Sequence, residues 1–332
     1  MKVKAAAVQP LSLQGLDEYS NVEKALAYVE EAARNGAGYV IFPEGYPGPY
    51  TGPLDSDGKL TQHPIAYLRE AAKAKSVYIS AGHLVENPAM AGTYFLAHKL
   101  IGPDGQVLAE YHRQQPNHPV FNAYLMGGRF HVLPGNRFEL VETDFGKVGL
   151  LVCSELFVPE LSRIYMLMGA DILVAPGGGV HSATRTRLTD TWRCVARSRA
   201  AENLCYVIAN QNLFSRDQRG RTCIASPESM LAEVDQGEGI AYADLDVARL
   251  DQLRSFYYDE EILSPPDSPE QLFHCRPGQC HDRRPELYGK LVEPQPDAFR
   301  YNYHLDGLET FRAEYERARR DPRVGTGTGE RK

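Results

Sequence analysis

The sequence predicts an α/β fold: a pair of mixed β-sheets with helices packed outside. Short apolar runs of strand character alternate with stretches of helical spacing. Some of these strands are joined by helices and others by hairpin turns, which places parallel and antiparallel pairs in the same sheets. In addition, 43% of the 332 residues are apolar in one continuous pattern, which favours one large core. No internal repeat is visible in the residues.

The elements follow in order. A first strand is expected over 3–9, in Val3-Lys4-Ala5-Ala6-Ala7-Val8-Gln9. Ser20-Asn21-Val22-Glu23 reads as a capping box that opens a helix with Val22, Leu26, Val29 and Ala33 on one face. Gly36 and Gly38 end it, and Tyr39-Val40-Ile41-Phe42 is the next strand. A helix over 65–74 and a strand over 77–82 follow. Residues 94–111 form a hairpin about Gly102-Pro103-Asp104-Gly105. Strands are expected over 148–153 and 172–175, with a helix over 159–168 between them. Helical spacing over 189–203, through Trp192, Val195, Ala196 and Ala200, leads into a strand over 205–210. A further hairpin pairs 222–225 with 239–244.

Beyond Ser255 the pattern weakens. Ser264-Pro265-Pro266-Asp267-Ser268-Pro269 reads as a linker or wrapping arm, 308–320 as a short charged helix, and 325–332 as a disordered tail. The expected division is one folded domain over 1–254, a C-terminal extension over 255–320 that wraps the domain or meets a second copy, and a tail over 321–332.

Composition excludes several function classes. A net charge of −7 argues against nucleic acid or an anionic membrane surface as partner. No run of about 18 apolar residues is present, so no membrane-spanning helix is expected. The N-terminal segment is too quickly polar for a signal peptide. Six scattered cysteines do not make a dense disulfide framework and are expected to be reduced, in a cytoplasmic setting. In His274-Cys275-Arg276-Pro277-Gly278-Gln279-Cys280-His281 the residue types suit zinc, but a second ligand pair is lacking. That segment reads as a surface or contact loop, and no metal is expected. Arg193, Arg197 and Arg199 beside Trp192 read as a sheet-covering helix face paired to acids such as Glu202.

Two strand ends carry the chemistry. Val148-Gly149-Leu150-Leu151-Val152-Cys153-Ser154-Glu155 closes an apolar run on a thiol, with an acid two places later. Alone, such a cysteine reads as a buried core residue. Tyr39-Val40-Ile41-Phe42-Pro43-Glu44 closes another apolar run on a carboxylate, and a turn rich in glycine, proline and tyrosine follows. Two strands of one sheet, each bearing a reactive group at its C-terminal end, would place Glu44 and Cys153 in a shared crevice. A carboxylate held there can take the thiol proton and later activate water against a thioester.

Together these blocks resemble the nitrilase, or carbon–nitrogen hydrolase, superfamily over residues 3–254. The resemblance rests on Val8-Gln9, Phe42-Pro43-Glu44, Gly102-Pro103-Asp104-Gly105, Val148-Gly149 through Glu155, Arg199-Ala200-Ala201-Glu202-Asn203 and Ala243-Asp244-Leu245-Asp246, in that order. Arg283-Arg284-Pro285-Glu286-Leu287-Tyr288-Gly289 is also similar to a tail motif of the family. It implies a four-layer α-β-β-α sandwich that dimerises or forms a higher homo-oligomer, and a thiol nucleophile without metal or organic cofactor. By the same resemblance Cys153 is the nucleophile, Glu44 the general base, and the Ser154 N–H an oxyanion donor. Tyr50 lines the pocket, Glu155 orients substrate or supports structure, and Gly177 borders the acyl group.

One departure stands out. The family supplies a lysine after the first hairpin, and no lysine lies between Lys99 and Lys147 here. Arg113 or Gln114 takes its place, depending on a one-residue gap. The glutamate that supports that lysine in the family is also missing, with Ala123 or Gly128 in its place; no acid lies between Glu110 and Glu139. Losing both members of a pair is self-consistent, because a buried charge without its partner is costly. Either Arg113 supplies the positive charge, or Gln114 or His112 donates neutral hydrogen bonds. His118 and His131 are further nearby titratable groups, and all three histidines read first as hydrogen-bonded loop residues. The implied function is cysteine-dependent hydrolysis of a non-peptide amide, carbamoyl or nitrile group in a small molecule. Ser154, where nitrilases proper often carry tryptophan, favours an amide. The alternatives are acyl transfer or unusual C–N chemistry on the same fold, or a silent paralogue that binds a metabolite or protein.

Overall fold

Side-chain alternation along the strands sorts the apolar residues into three core layers. The computed structural model describes residues 1–49, 60–89, 93–116, 131–179, 188–216, 218–254 and 283–293. In it β1 (Lys2–Gln9), β2 (Tyr39–Ile41) and β3 (Tyr78–Glu86) run parallel at the centre of one sheet, linked through α1 (Asn21–Arg34) and α2 (Pro64–Lys75). β4 (Thr93–Ile101) returns antiparallel on β3, and β5 (Val107–His112) returns on β4. The turn between them is the expected one, closed where Gly105, at φ +81°, donates to the Gly102 carbonyl at 2.9 Å. β6 (His131–Leu133) lies parallel to the start of β4.

The second sheet repeats this plan. β8 (Gly146–Leu150), β9 (Ile172–Val174) and β10 (Tyr206–Ala209) are its parallel centre, linked through α3 (Pro159–Met168) and α4 (Leu188–Asn203). β7 (Leu140–Thr143) flanks β8 antiparallel; β11 (Arg219–Ala225) and β12 (Met230–Gln236) extend the sheet beyond β10. β13 (Gly239–Asp246) then crosses to the first sheet and pairs antiparallel with the whole of β1, from Gln9↔Gly239 to Lys2↔Asp246. A last helix, α5 (Val247–Arg254), buries Leu250 and Leu253, and Arg254 pairs with Asp171 at 2.6 Å. The repeat is topological only, since the residues of the two halves do not resemble each other.

Between the sheets lie Ala5, Ala7, Tyr39, Ile41, Val148, Leu150, Val174 and Ile208. Ala6, Val8, Val40 and Phe42, the intervening residues, pack outward against Val29, Leu68 and Ala72 of α1 and α2. Leu173, Val207 and Ala209 pack outward against Leu161, Tyr165, Ala196 and Ala200 of α3 and α4. Four layers result, α-β-β-α, as the sequence predicts.

Three expectations are corrected. Residues 222–225 and 239–244 are not hairpin partners, because β12 intervenes and β13 belongs to the opposite sheet. The strands leading to Glu44 and Cys153 likewise lie in different sheets, facing each other across the core. Ser20 does not cap α1: a 3-10 turn over Gly15–Ser20 runs directly into the helix, and Ser20 is already αR with no side-chain cap bond. Asn21 does the pinning instead, exchanging 2.9 Å hydrogen bonds with the N–H and carbonyl of Leu13. On α1 the fully buried face is Val22, Ala25, Val29 and Ala32, with Leu26 and Ala33 at its margin. The extension, tail and possible zinc ligands fall on 255–282 and 294–332, outside the described residues, apart from the short segment 283–293.

Gly149 shows how tightly the outer face of β8 is covered. A Cβ there would stand 2.5 Å from the ring of Tyr165, whose hydroxyl donates to the Leu150 carbonyl at 2.6 Å. Gly149→Ala is therefore expected to destabilise the protein by about 1–3 kcal/mol, measured as a lower urea midpoint at unchanged slope.

Candidate active site

The functional side chains sit where the strands end. The ladder between β8, β9 and β10 continues past their C-termini: Leu151 N–H donates to Val174, Cys153 N–H to Pro176 at 2.7 Å, and Gly177 N–H to Asn210 at 2.5 Å. These bonds fix Cys153 and the Pro176–Gly178 loop side by side. Cys153 opens a 3-10 turn, Cys153–Phe157, with φ +57°. A non-glycine residue in the left-handed region is strained and persists only where its surroundings hold it. That backbone turns the thiol out of the strand direction and into the cleft.

From the first sheet, the chain leaving β2 carries Glu44 to the same place. Phe42 N–H still bonds Ser80 at 2.8 Å, and the Asn212 amide donates to the Glu44 carbonyl at 2.8 Å. Asn210 stitches the two sheets together beside it by donating to the carbonyls of Val8 and Ile41. The Glu44 carboxylate, 2% exposed, bonds the Cys153 thiol, and the Gly178 N–H faces both groups.

Arg113 completes the cluster. It follows β5 directly, with its N–H on the Leu96 carbonyl at 3.0 Å. Its side chain is also 2% exposed. Nη1 donates to Glu44 Oε1 at 2.9 Å, Nη2 to Ser154 Oγ at 2.5 Å and Nε to the Gln115 carbonyl at 3.1 Å. Of the two residues left open by the sequence, Arg113 is thus the one aimed at the carboxylate. The Gln114 side chain turns away to the Arg137 carbonyl at 2.9 Å. His112 is equally remote in role, held by Glu110 at 2.7 Å and stacked on Phe95 at 4.4 Å.

Glu155 lies behind the cluster, fully buried. Oε1 accepts from the N–H groups of Gln114 and Gln115 at 2.7 and 2.9 Å. Oε2 accepts from the Val152 N–H at 2.7 Å and the Tyr111 hydroxyl at 2.9 Å. With four donors consumed in this way, it clamps the two chain segments that carry Arg113 and Cys153.

Electrostatics follow from burial. So much protein surrounds the Cys153 thiol that burial, then the neighbouring Glu44 charge, pushes it up to about 11; Arg113 and the Gly178 N–H act against this. Burial also raises the Glu44 carboxyl above its ordinary value, opposed chiefly by Arg113. A neutral thiol beside a carboxylate of raised basicity is an arrangement for transferring a proton at the moment of attack.

Cys153, Glu44, Arg113 and Ser154 are brought together; Gly177 lies on the adjoining loop, and Tyr50 lies outside the described residues, as do His118, Ala123 and Gly128. Two contributors escaped the sequence reading. Gly178 is the loop N–H that faces the thiol, and Arg221 is a buried cation whose charge reaches both Cys153 and Glu44. The double glycine after Pro176 was a signal for the first; nothing local marked the second. Arg193, Arg197 and Arg199 are structural: Arg193 pairs with Glu233 and Asp235, Arg197 binds the carbonyls of Ser226 and Pro227, and Arg199 pairs with Glu202.

Comparison with known proteins gives consistent matches. The family model for carbon-nitrogen hydrolases matches residues 4–255. A deaminated glutathione amidase from Synechocystis sp. is 32% identical over 263 residues, covering 75% of this chain and 94% of that protein. An omega-amidase from Homo sapiens is 29% identical over 247 residues, covering 70% and 86%. The crystal structure of a carbon-nitrogen hydrolase from Helicobacter pylori superposes with a TM-score of 0.69 at 22% identity, covering 88% of this chain and 99% of that one.

Removing Arg113 strands the Glu44 charge in the interior. Arg113→Ala is expected to cost about 3–5 kcal/mol, read by chemical denaturation. Adding Glu44→Gln to that variant should recover part of the loss, since the stranded charge goes with it.

Proposed function

The chain belongs to the carbon–nitrogen hydrolase family, and from that premise we propose that it cleaves the C–N bond of a small amide through a thioester on Cys153. The observation that carries this reading is the Glu44 carboxylate bonded to the Cys153 thiol in a buried cleft, with Arg113 on Glu44 Oε1. Similarity to two amidases supports an amide over a nitrile, as does Ser154 beside the nucleophile.

The steps balance on these residues alone. Glu44 takes the thiol proton as Sγ bonds the carbonyl carbon. The charge that develops on the carbonyl oxygen is met by the Ser154 N–H, at the start of the 3-10 turn, within the positive field of Arg113. As the tetrahedral species collapses, Glu44 returns the proton to the leaving nitrogen and the C–N bond breaks. Water then attacks the thioester, Glu44 takes its proton, and the released sulfur is reprotonated as the carboxylic acid departs.

In this scheme Arg113 fills the place the family gives to a lysine. A lysine there presents one ammonium; Arg113 instead divides a planar fork between Glu44 and Ser154. It orients the base and contributes charge without relaying a proton. Gly178 steadies the sulfur, and Glu155 positions the residues on either side.

Incubation with acetamide or butyramide should give an acyl adduct on Cys153 by intact-mass measurement. Cys153→Ala should lower turnover on the order of 10⁴-fold or more; unchanged turnover would sink the proposal. The pH profile gives a second check. Glu44 must be ionised to accept the proton, and burial raises its carboxyl, so kcat/KM should fall as pH drops through a midpoint above the ordinary carboxylate range. A midpoint at or below that range would show that a different group is the base.

A further inference from the structure

Three hydrogen bonds lead from the nucleophile to the base, and Asn212 makes two of them. Cys153 N–H donates to the Pro176 carbonyl at 2.7 Å, Asn212 N–H to the Gly177 carbonyl at 3.3 Å, and Asn212 Nδ2 to the Glu44 carbonyl at 2.8 Å. Alternation beyond β10 explains the placement: Ile208 faces the other sheet, and Asn210 and Asn212 follow it at every second residue. Asn212 is 2% exposed. The Glu44 carbonyl can only accept, so Nδ2 must face it, which leaves Oδ1 to accept from the Ser12 hydroxyl. Ser12 is fixed there by its own N–H, which donates to the Leu213 carbonyl at 2.7 Å. Both ends of the amide are thereby used, and its orientation is set.

The Glu44 carbonyl needs such a partner because the chain has left its own sheet there. Phe42 N–H is still on Ser80, and bonding to β3 resumes where Gly82 N–H donates to the Tyr46 carbonyl at 2.9 Å. Between these points Pro43 has no N–H to give, and Gly45 turns the chain at φ +66°. Gly45 passes so close to Gly82 that a Cβ on Gly82 would stand 2.3 Å from the Gly45 nitrogen. Arg113 holds the carboxylate at the tip of the Glu44 side chain, and Asn212 holds the main chain at its root. The Asn212 backbone also shapes the loop beside the thiol: a Cβ on Gly179 would stand 2.2 Å from the Asn212 carbonyl oxygen.

We propose that Asn212 is a positioning residue for the reaction: from the sheet that carries Cys153 it sets the distance between the Glu44 carboxylate and the thiol, with Ser12 locking its amide in the productive orientation. The proposal rests on the reading of Glu44 as the base that takes the Cys153 proton. Asn212 acts through Glu44 and not on the substrate, so its loss should slow proton transfer and leave amide binding unchanged. A residue that only stabilised the fold would lower the amount of folded protein without altering the rate of each folded molecule.

The test compares Asn212→Ala, Ser12→Ala and the double variant with the wild type on butyramide, per folded molecule. In Asn212→Ala, kcat and kcat/KM should fall together by about tenfold to hundredfold, with KM staying within about twofold. Ser12→Ala should give a smaller loss of the same kind. The double variant should be no slower than Asn212→Ala, because the hydroxyl acts only through the amide. Alkylation of Cys153 by iodoacetamide, followed by peptide mass, gives a readout independent of turnover, with the exposed Cys194 of the same molecules as standard. The Cys153 rate relative to Cys194 should fall at neutral pH in Asn212→Ala, and in a Glu44→Gln background it should no longer respond to residue 212. If wild-type protein turns over no amide, the hydrolase reading fails while alkylation still reports whether Asn212 holds Glu44 to the thiol. Unchanged kcat and alkylation in folded Asn212→Ala, a loss confined to KM, or an alkylation loss that persists undiminished with Glu44→Gln would overturn the inference. A Cys153 that supports no turnover and resists iodoacetamide overturns both readings. Circular dichroism melting separates lost positioning from lost folding, and Ser12→Ala carries the same measurements if Asn212→Ala unfolds.

Discussion

Burying a carboxylate and a guanidinium together is costly unless each finds its partner with good geometry. That constraint organises the centre of this molecule. Glu44 and Arg113 both come from the first sheet, yet the fork of Arg113 also reaches Ser154 on the second. The pair therefore ties the reactive ends of the two sheets together. Asn210 and Asn212 make the same connection through backbone carbonyls on the other side of Glu44. These bonds, made by Arg113, Asn210 and Asn212, fix the reactive ends of the two sheets relative to each other.

The same burial decides how the thiol is activated. In a site built on a thiolate–imidazolium pair the sulfur is ionised at rest. Here burial and Glu44 both hold the proton on Cys153, and Arg113 is shared with Glu44 rather than spent on the sulfur. Ionisation is thus deferred until a carbonyl carbon is in reach to accept the electron pair. The left-handed backbone of Cys153 gives that thiol its aim, and the Pro176 carbonyl holds the backbone in place.

Much of this was legible in the residues, and the misses have physical causes. The parallel strands were visible because they are buried on both faces and read as unbroken apolar runs, as in Tyr39–Ile41 and Ile172–Val174. β12 was missed because it is an edge strand: Met230–Gln236 mixes half-exposed apolar residues with Glu233 and Asp235. Without it, β11 was paired with the next apolar run. Sheet membership was also out of reach, since two similar parallel trios do not announce which sheet owns a given strand. At the site, Glu44 and Cys153 stood at the ends of apolar runs and were readable. The choice between Arg113 and Gln114 was not, because neighbouring residues at a strand end point in opposite directions and a one-residue gap exchanges them. Arg221 left no local trace: an arginine near a strand terminus is ordinary until the tertiary structure removes its water.

Glu155 has a consequence for how this site can change over generations. Its carboxylate grips the backbone N–H groups on one side of Arg113's neighbourhood and the strand that leads to Cys153 on the other, with the Tyr111 hydroxyl filling the remaining place. Because it holds main chain rather than side chain, the identity of residue 113 is decoupled from the path of the chain that presents it. A substitution there that keeps the positive charge changes the tool without moving the hand. A single clamp of this kind mounts the charged partner of Glu44 on a main-chain frame that its own side chain does not build. One cation can therefore replace another beside Glu44 while the path of the main chain stays where Glu155 holds it.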